Sequence, residues 1–539
     1  MDPAMSAALR SQGQDPDKVA GLFARVLSHT HHALPDPPAS VDALLFALLP
    51  HDAVDRLSLL TDVLLGNIVS RLPIKEAART AALSRRWRGV WRSTPLVLVD
   101  AHILPAGTAV ARADARRVTS AVSRIFAVHP GPFRCVHLTS SNMKEFHGLL
   151  TRWLQILAAK GIQELVLVNL PWPLDLVLPA TFLGMTTLTR LYLGLWKFPD
   201  TAGVPRATCF PNLRELGLSG VLMGSKDLDF ILDRSPVLET LCVQGNLFNL
   251  RLRLVSQSLR CVQFISSFIE EIAVVHAPCL ERLIHSGGWT PNVVRSKVKI
   301  GYAPKLKLLG YLDPGNHVLE VGSTVIKVPH PFHLLYCTSY LNDQCVCVIF
   351  LLLLIGCIEN LRLQLQAGTK ATPSTMVPSV RILALEMRCG VRNDAKMIPT
   401  VLRCFPNVET LHIMSRKTDQ PSGKLNLKLW NESGTIECIR SRIKLLVFHD
   451  FGGDRSELAF LKFFFGSALV LKEVVIMVAN ASFTSMEDMC SKVAPLGSMK
   501  RASAGSEIIV TNCSDPEGSN IRSFKRASDF SLDDPFANY

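Results

Sequence analysis

Between Asp55 and Leu98, apolar residues recur every three or four positions in three short runs, each closed by a helix-breaking signal. Thr61 or Asp62 is placed to cap the first, which sets Val63, Leu64, Ile68 and Val69 near one side and ends at Arg71-Leu72-Pro73, where proline bars continuation. A second helix is predicted from Lys75 through Ala82. Ser84 caps a third, on which Trp87 and Trp91, four positions apart, share a face with Val90. So small a unit cannot bury all these groups internally, and the surplus must pack on the following domain or on a partner.

Further along, the pattern becomes apolar-x-x-Leu: Ile162 to Leu165, Leu188 to Leu191, Leu213 to Leu216, Leu238 to Leu241, Leu259 to Val262, Leu280 to Leu283 and Leu306 to Leu309. Successive closing positions lie 26, 25, 25, 21, 21 and 26 apart. Turns with proline introduce several of these segments, as in "FPNLRELGL", "SPVLETLCV", "APCLERLIH" and "FPNVETLHI", and the alternation that follows is that of a strand. Each period therefore lays down one short strand in a stack that shares a core. From Cys438 to Val478 the chain reads as a strand, a turn at Gly452-Gly453, an amphipathic helix from Ser456 to Phe465 and a second strand. Residues 1–54, with "LPDPPAS" and "VDALLFALLP", read as a loosely ordered leader, and 501–539 as a mobile C-terminal tail.

Composition narrows the class. A chain of 539 residues is expected to form roughly two to four domains, and 48% hydrophobic against 19% charged residues excludes wholesale disorder. The net charge of +13 would suit nucleic acid, yet the basic residues are scattered, and the dense group is Arg85, Arg86, Arg88 and Arg92. The cysteines sit mostly in apolar runs such as "LETLCV" and lack a Cys-x-x-Cys pair, which points to buried reduced thiols. The N-terminus is neither a signal nor a clear transit peptide, so a cytosolic or nuclear protein is expected. The apolar run Cys345 to Ile358, about fourteen residues, is short of the roughly twenty that span a bilayer, and no membrane anchor is expected. Val328 to Gln366 has codons compatible with GT at its start and AG at its end, and it holds four of the 14 cysteines; it reads as a retained-intron insert.

No Gly-rich phosphate loop, Gly-x-Ser-x-Gly elbow, His-Glu-x-x-His or zinc-spaced cysteine pair occurs, so no catalytic, cofactor-binding or metal-ligating residue is assigned. His31-His32 falls in the Pro-rich leader as a solvated pair. The tetrapeptide Lys-Arg-Ala-Ser occurs twice, which makes Ser503 and Ser528 candidate phosphate acceptors in the tail.

The stretch "DRLSLLTDVLLGNIVSRLPIKEAARTAALSRRWRGVWRSTPLVL" resembles the F-box in its plant form, with Leu-Pro between the first two helices and Leu-Ser-Arg-Arg-Trp opening the third. The periodic region resembles leucine-rich repeats without the regular asparagine ladder, and Cys438 to Val478 is similar to the FBD domain that follows such segments in plant proteins. The resemblance implies an α+β multidomain chain: leader 1–54, F-box 55–98, a curved α/β repeat solenoid 99–430, an FBD-like cap 431–500 and a tail. It implies docking onto a Skp-type adaptor, and through it a cullin, by Leu60, Leu64, Leu65, Ile68, Leu72, Pro73, Ala78, Leu83, Trp87 and Trp91. Thr61 stands where the family usually has proline, which implies some loss of affinity. The repeats would hold a protein substrate between Leu165 and Leu411 for ubiquitination by other subunits. The alternatives are a repeat scaffold or inhibitor without ligase recruitment, and a nucleic-acid binder whose association falls steeply with salt.

Overall fold

In a computed structural model of the protein, the repeated leucine positions become register positions of parallel strands. The structure describes residues 10–11, 15–38, 55–103, 112–140, 143, 146–169, 176–286, 296–315, 317–322, 324–326, 376–416, 426–478, 485–512 and 524–537. The segment read as an insert, the apolar run within it, and the stretch "VDALLFALLP" lie outside these residues. The chain divides into two units, His29–Asn246 and Leu247–Tyr539, with Met1–Ser28 counted with the latter.

Helix α1 (Pro16–Ala33) corrects the expectation of a loose leader. Its sequence spaces Val19, Phe23, Val26 and Leu27 at helical intervals, Pro16 takes the first helical position, where no N–H is needed, and the next proline is Pro35. Asp15 opens it, its carboxylate accepting the Asp17 N–H at 3.0 Å. His31 and His32 are exposed in its last turn rather than in a loop.

In the unit His29–Asn246, three short helices follow: α2 (Asp62–Val69), α3 (Ile74–Thr80) and α4 (Arg85–Ser93). They lead directly into β1 (Leu96–Val99), so the last residues of the 55–98 segment already belong to a sheet. Then come α5 (Arg112–Val128), β2 (Phe133–Leu138), α6 (His147–Ala159), β3 (Glu164–Val168), β4 (Arg190–Gly194), β5 (Glu215–Ser219), α7 (Ser225–Asp233) and β6 (Thr240–Gln244). The six strands pair in parallel in chain order. Leu165 faces Leu191, Leu191 faces Leu216 and Leu216 faces Leu241, all of them buried in the core between sheet and helices. The face away from that core carries the alternate residues. There Ser219, at the end of β5, donates to the Thr30 hydroxyl of α1 at 3.2 Å, and both side chains are buried.

The unit Leu247–Tyr539 holds two sheets. Strands β7 (Leu250–Val255), β9 (Ile269–His276), β11 (Ser296–Tyr302), β13 (His317–Val321) and β14 (Thr324–Ile326) form one. The other begins with β8 (Cys261–Ile265), β10 (Arg282–Ser286), β12 (Leu308–Leu312) and β15 (Ile382–Met387), and continues after α8 (Arg392–Arg403) with β16 (Thr410–Ser415). The five-stranded sheet explains the short spacing of 21 residues. Those repeats return through a strand instead of a helix, and in β7 Leu250, Leu252 and Leu254 alternate inward while Arg251 and Arg253 point out.

Past β16 come α9 (Leu427–Glu432), α10 (Glu437–Ser441), β17 (Leu445–Phe451), α11 (Arg455–Ser467), β18 (Glu473–Val478), α12 (Met486–Gly497), β19 (Glu507–Asn512) and α13 (Phe524–Ser528). The strand–turn–helix–strand reading of 438–478 matches β17–α11–β18. At the C-terminal end, where the FBD-like cap is expected, these strands continue the parallel sheet past β16, with a register irregularity between Phe448 and Phe451. Val262, Leu283, Leu309, Leu383, Leu411, Leu446, Val474 and Ile508 form one column. The final strand, β19, lies within the segment expected to be tail, because Ile508 supplies one more apolar residue at the column position.

Candidate docking surface

The N-terminal helices turn one apolar set inward and a second outward. Asp55 fixes the entry turn Leu57–Leu59, accepting the Ser58 N–H at 3.0 Å and the Ser58 hydroxyl at 2.6 Å. Thr61 is the N-cap residue of α2 without a side-chain cap bond. The second expected capper, Asp62, instead accepts from Arg86 Nε at 2.7 Å. The same guanidinium donates to the Ser58 carbonyl at 2.6 Å and to the Leu60 carbonyl, so this arginine of the "SRRW" run latches α4 onto the start of α2. Ser84 caps α4 as expected, accepting the Trp87 N–H at 3.3 Å.

Leu65, Val69, Ile74, Ala77, Trp87 and Val90 close the interior of this helical group. Outside remain Leu57, Leu59, Val63, Leu64, Ile68 and Leu83, of which Val63 is 81% and Leu59 80% exposed. Fully burying one such side chain is worth about 1.5–3 kcal/mol. The set lies on α2 and the turns beside it, a dense apolar patch of the kind that marks candidate interaction surfaces.

Of the residues predicted for docking, Leu64, Ile68, Ala78 and Leu83 are exposed, and Leu60, Leu72, Pro73 and Trp91 are half-buried. Leu65 and Trp87 are corrections. Leu65 is fully buried, and Trp87 anchors α4 because the face it shares with Val90 turns inward. Pro73 bridges to Val97 of β1, and the Trp91 ring stands edge-on to His129 at 4.9 Å. Sequence reasoning passed over Leu57 and Leu59, although their polar partner Ser58 and the flanking Asp55 signal an exposed turn.

The two candidate phosphate acceptors are half-buried and engaged, contrary to a mobile tail. Ser503 donates to the Leu471 carbonyl at 2.7 Å and Ser528 to the Lys525 carbonyl at 3.3 Å.

One buried group has the composition of a metal site: Cys135, His137 and Glu164, whose ligand atoms lie within 4.8 Å of one another. Glu164 is already committed, however. His137 Nε2 lies 2.8 Å from one carboxylate oxygen and Arg190 Nη1 3.3 Å from the other. Burial raises this carboxyl, but His137 and Arg190 outweigh it and hold it below the usual range. Burial and the neighbouring carboxylate push the Cys135 thiol far up, so it stays protonated. The arrangement works as an ion-pair network across β2, β3 and β4. Among the described residues, no helix is long and apolar enough to cross a membrane.

Three family models match the chain in series: an F-box domain over residues 57–98, the LRR repeats of the FBD-associated F-box protein At5g56370 over 150–337 and 357–413, and FBD over 431–476. The repeat match leaves 338–356 unaligned. The chain is 30% identical over 215 residues to the Arabidopsis thaliana F-box/FBD/LRR-repeat protein At5g44950, covering 38% of this chain and 46% of that one. Longer matches are the Arabidopsis FBD-associated F-box protein At5g22720, 23% identical over 79% of this chain and 89% of the relative, and the F-box/FBD/LRR-repeat protein At1g13570, 24% identical over 68% and 93%. The chain thus spans about half the length of the first relative and some nine tenths of the other two.

Proposed function

We propose, for a chain that belongs with the plant F-box proteins carrying leucine-rich repeats and a C-terminal FBD, that it is the substrate-recognition subunit of an SCF-type cullin ubiquitin ligase. The exposed apolar set on α2 and the turns beside it carries this reading. Leu57, Leu59, Val63, Leu64, Ile68 and Leu83 meet a Skp-type adaptor, Arg86 holds the helices in the docking arrangement, and Leu65 and Trp87 support them from inside. Leu60, Leu72, Pro73, Ala78 and Trp91 border the contact. The repeat region holds a protein substrate, and ubiquitin is transferred by other subunits. The contribution of this chain is proximity: holding an acceptor lysine near a charged conjugating enzyme raises its effective concentration without chemistry from the holder. Phosphate at Ser503 or Ser528 remains part of this proposal, under the condition that each hydroxyl first leaves its carbonyl partner.

The test is capture of a Skp-type adaptor by the full chain and by Leu64→Asp/Leu83→Asp. Both side chains are exposed, so the variant keeps its fold, whereas replacing Trp87 would disturb the interior. The expected result is adaptor binding by the native chain and a loss of about 100-fold in affinity in the variant. Equal binding by both overturns the assignment of this surface.

A further inference from the structure

In the unit Leu247–Tyr539, the sheet face opposite the core is covered by residues 524–537 of the same chain. Alternate strand residues Ile284, Leu308, Ala384 and Met414, with Tyr311, enclose Ala527 and Phe536 in one apolar cluster. Arg282 donates to the main-chain carbonyls of Ala527 at 2.8 Å, Asp529 at 2.9 Å and Leu532. The Phe530 ring meets two guanidinium groups, with Arg260 at 3.7 Å and Arg282 at 4.9 Å from its centroid. Phe536 meets Tyr311 at 4.9 Å and His412 at 5.4 Å. His412 Nε2 lies 2.8 Å from the Asp534 carboxylate, and its Nδ1 lies 3.0 Å from His449 Nε2.

These are the contacts of a peptide held in a groove. One arginine reads main-chain carbonyls irrespective of side chain, two aromatic rings fill defined places, and an aspartate meets a histidine. The segment pairs in no β-ladder among the described residues, so it can leave without breaking a strand pair. Buried polar groups on the face, Arg282 and His412 among them, would be left without these partners if it were bare, which favours exchange of one occupant for another over an empty groove.

We propose that this face is a peptide-recognition groove occupied by the chain's own 524–537 segment. Its exchange partner is a short segment of another protein with two aromatic residues and an aspartate near the second, as in Asp529-Phe530 and Asp534-Pro535-Phe536. This rests on the reading that the repeat region holds the partner, and it names that partner's chemistry. Being tethered, the internal segment acts at an effective concentration on the order of millimolar, so a competitor enters only by binding tightly or after the segment is loosened.

The probe is a fluorescent peptide of residues 524–537, titrated against the full native chain and against Phe530→Ala/Phe536→Ala, with adaptor capture measured in parallel so that failure of the docking assignment is seen separately. The loosened chain is expected to bind the peptide at least ten times more tightly than the native chain, and Arg282→Met in that background to abolish the gain. A folded, loosened chain that binds no better than the native one overturns the proposal. Should the loosened chain fail to fold, hydrogen exchange on the native chain decides. Amides of 524–537 that open at least a hundred times more readily than β15 and β16 support a displaceable segment, and equal protection overturns it.

Discussion

Two regions carry more apolar surface than their own elements can hide, and they resolve it in opposite ways. On the N-terminal helices, Leu59, Val63 and Leu83 stay bare. On the strand face of β8 to β16, Ile284, Leu308 and Met414 are covered by Ala527 and Phe536 from far along the sequence. The difference is one of polarity. The bare helical set has few polar groups needing a partner, so water at its edge costs little. The strand face buries Arg282 and His412, and a buried charge or imidazole without partners is costly. A surface awaiting another chain is therefore built from leucine and valine, and a surface that must stay filled mixes arginine, histidine and aromatic rings.

The largest expected separation between these regions comes from acid. His285 and His317 stack at 4.7 Å between the two sheets, and His449 lies beside His412. Burial, aided by His317, lowers His285 to about 3; burial lowers His317 to about 4, even with Glu386 nearby. Burial and the adjacent His412 lower His449 to about 3, against the pull of Asp534. Each is neutral when folded and titrates near 6.5 when unfolded, so as pH falls below 6.5 the unfolded chain gains protons that the folded chain refuses. Stability is full above that pH and declines as pH falls, to about 4 for His317 and about 3 for His285 and His449, by up to roughly tenfold in the folding constant per pH unit for each histidine. Fluorescence-monitored denaturation at pH 7.5 and 5.0 should show a much weaker 247–539 unit in acid. A His285→Phe/His449→Phe chain should lose most of that pH dependence, and an unchanged slope would refute the assignment.

Next in size is a core truncation. Trp430 is buried, stacked on Phe463 at 5.8 Å and edge-on to Phe460 at 5.1 Å. Trp430→Ala should cost about 3–5 kcal/mol of stability while leaving adaptor capture unchanged at temperatures where the chain stays folded. The exposed Leu64→Asp/Leu83→Asp variant should do the reverse, weakening capture with little shift in melting. A result in which both variants moved both readings would remove the distinction between bare and internal apolar groups.

The strand column was legible because the apolar-x-x-Leu pattern recurs at a near-constant spacing, and several repeats add a proline and a turn before it, as at "FPNLRELGL". The helical group was legible from its period and breakers. Inward and outward faces were less so, since Trp87 and Leu64 both fit a 3.6-residue period and only the partner strands decide which is enclosed. The five-stranded sheet could have been found in "LRLRLV", whose alternation is plain. The covering by 524–537 could not have been. "KRASDFSLDDPFANY" has the composition of a solvated segment, and its burial depends on Arg282, some 250 residues away, which no local pattern records.

The smallest prediction concerns Thr61, where resemblance to the family implied weakened docking. The residue sits at φ −68° and ψ 157°, within the range that proline fixes. Leu60 before it is extended, at φ −73° and ψ 151°, which is the conformation a following proline demands. The threonine side chain makes no cap bond that proline would forfeit. Thr61→Pro should therefore stabilise the helical group by about 0.4–1 kcal/mol, chiefly by restricting the unfolded chain. Adaptor affinity should change by less than about threefold, because the arrangement of Leu57, Leu59 and Leu64 is already set by Arg86 and Asp55. A gain of tenfold or more in calorimetric titration would mean that the native helix start is not preorganised, and that the bare surface is assembled only when its partner arrives.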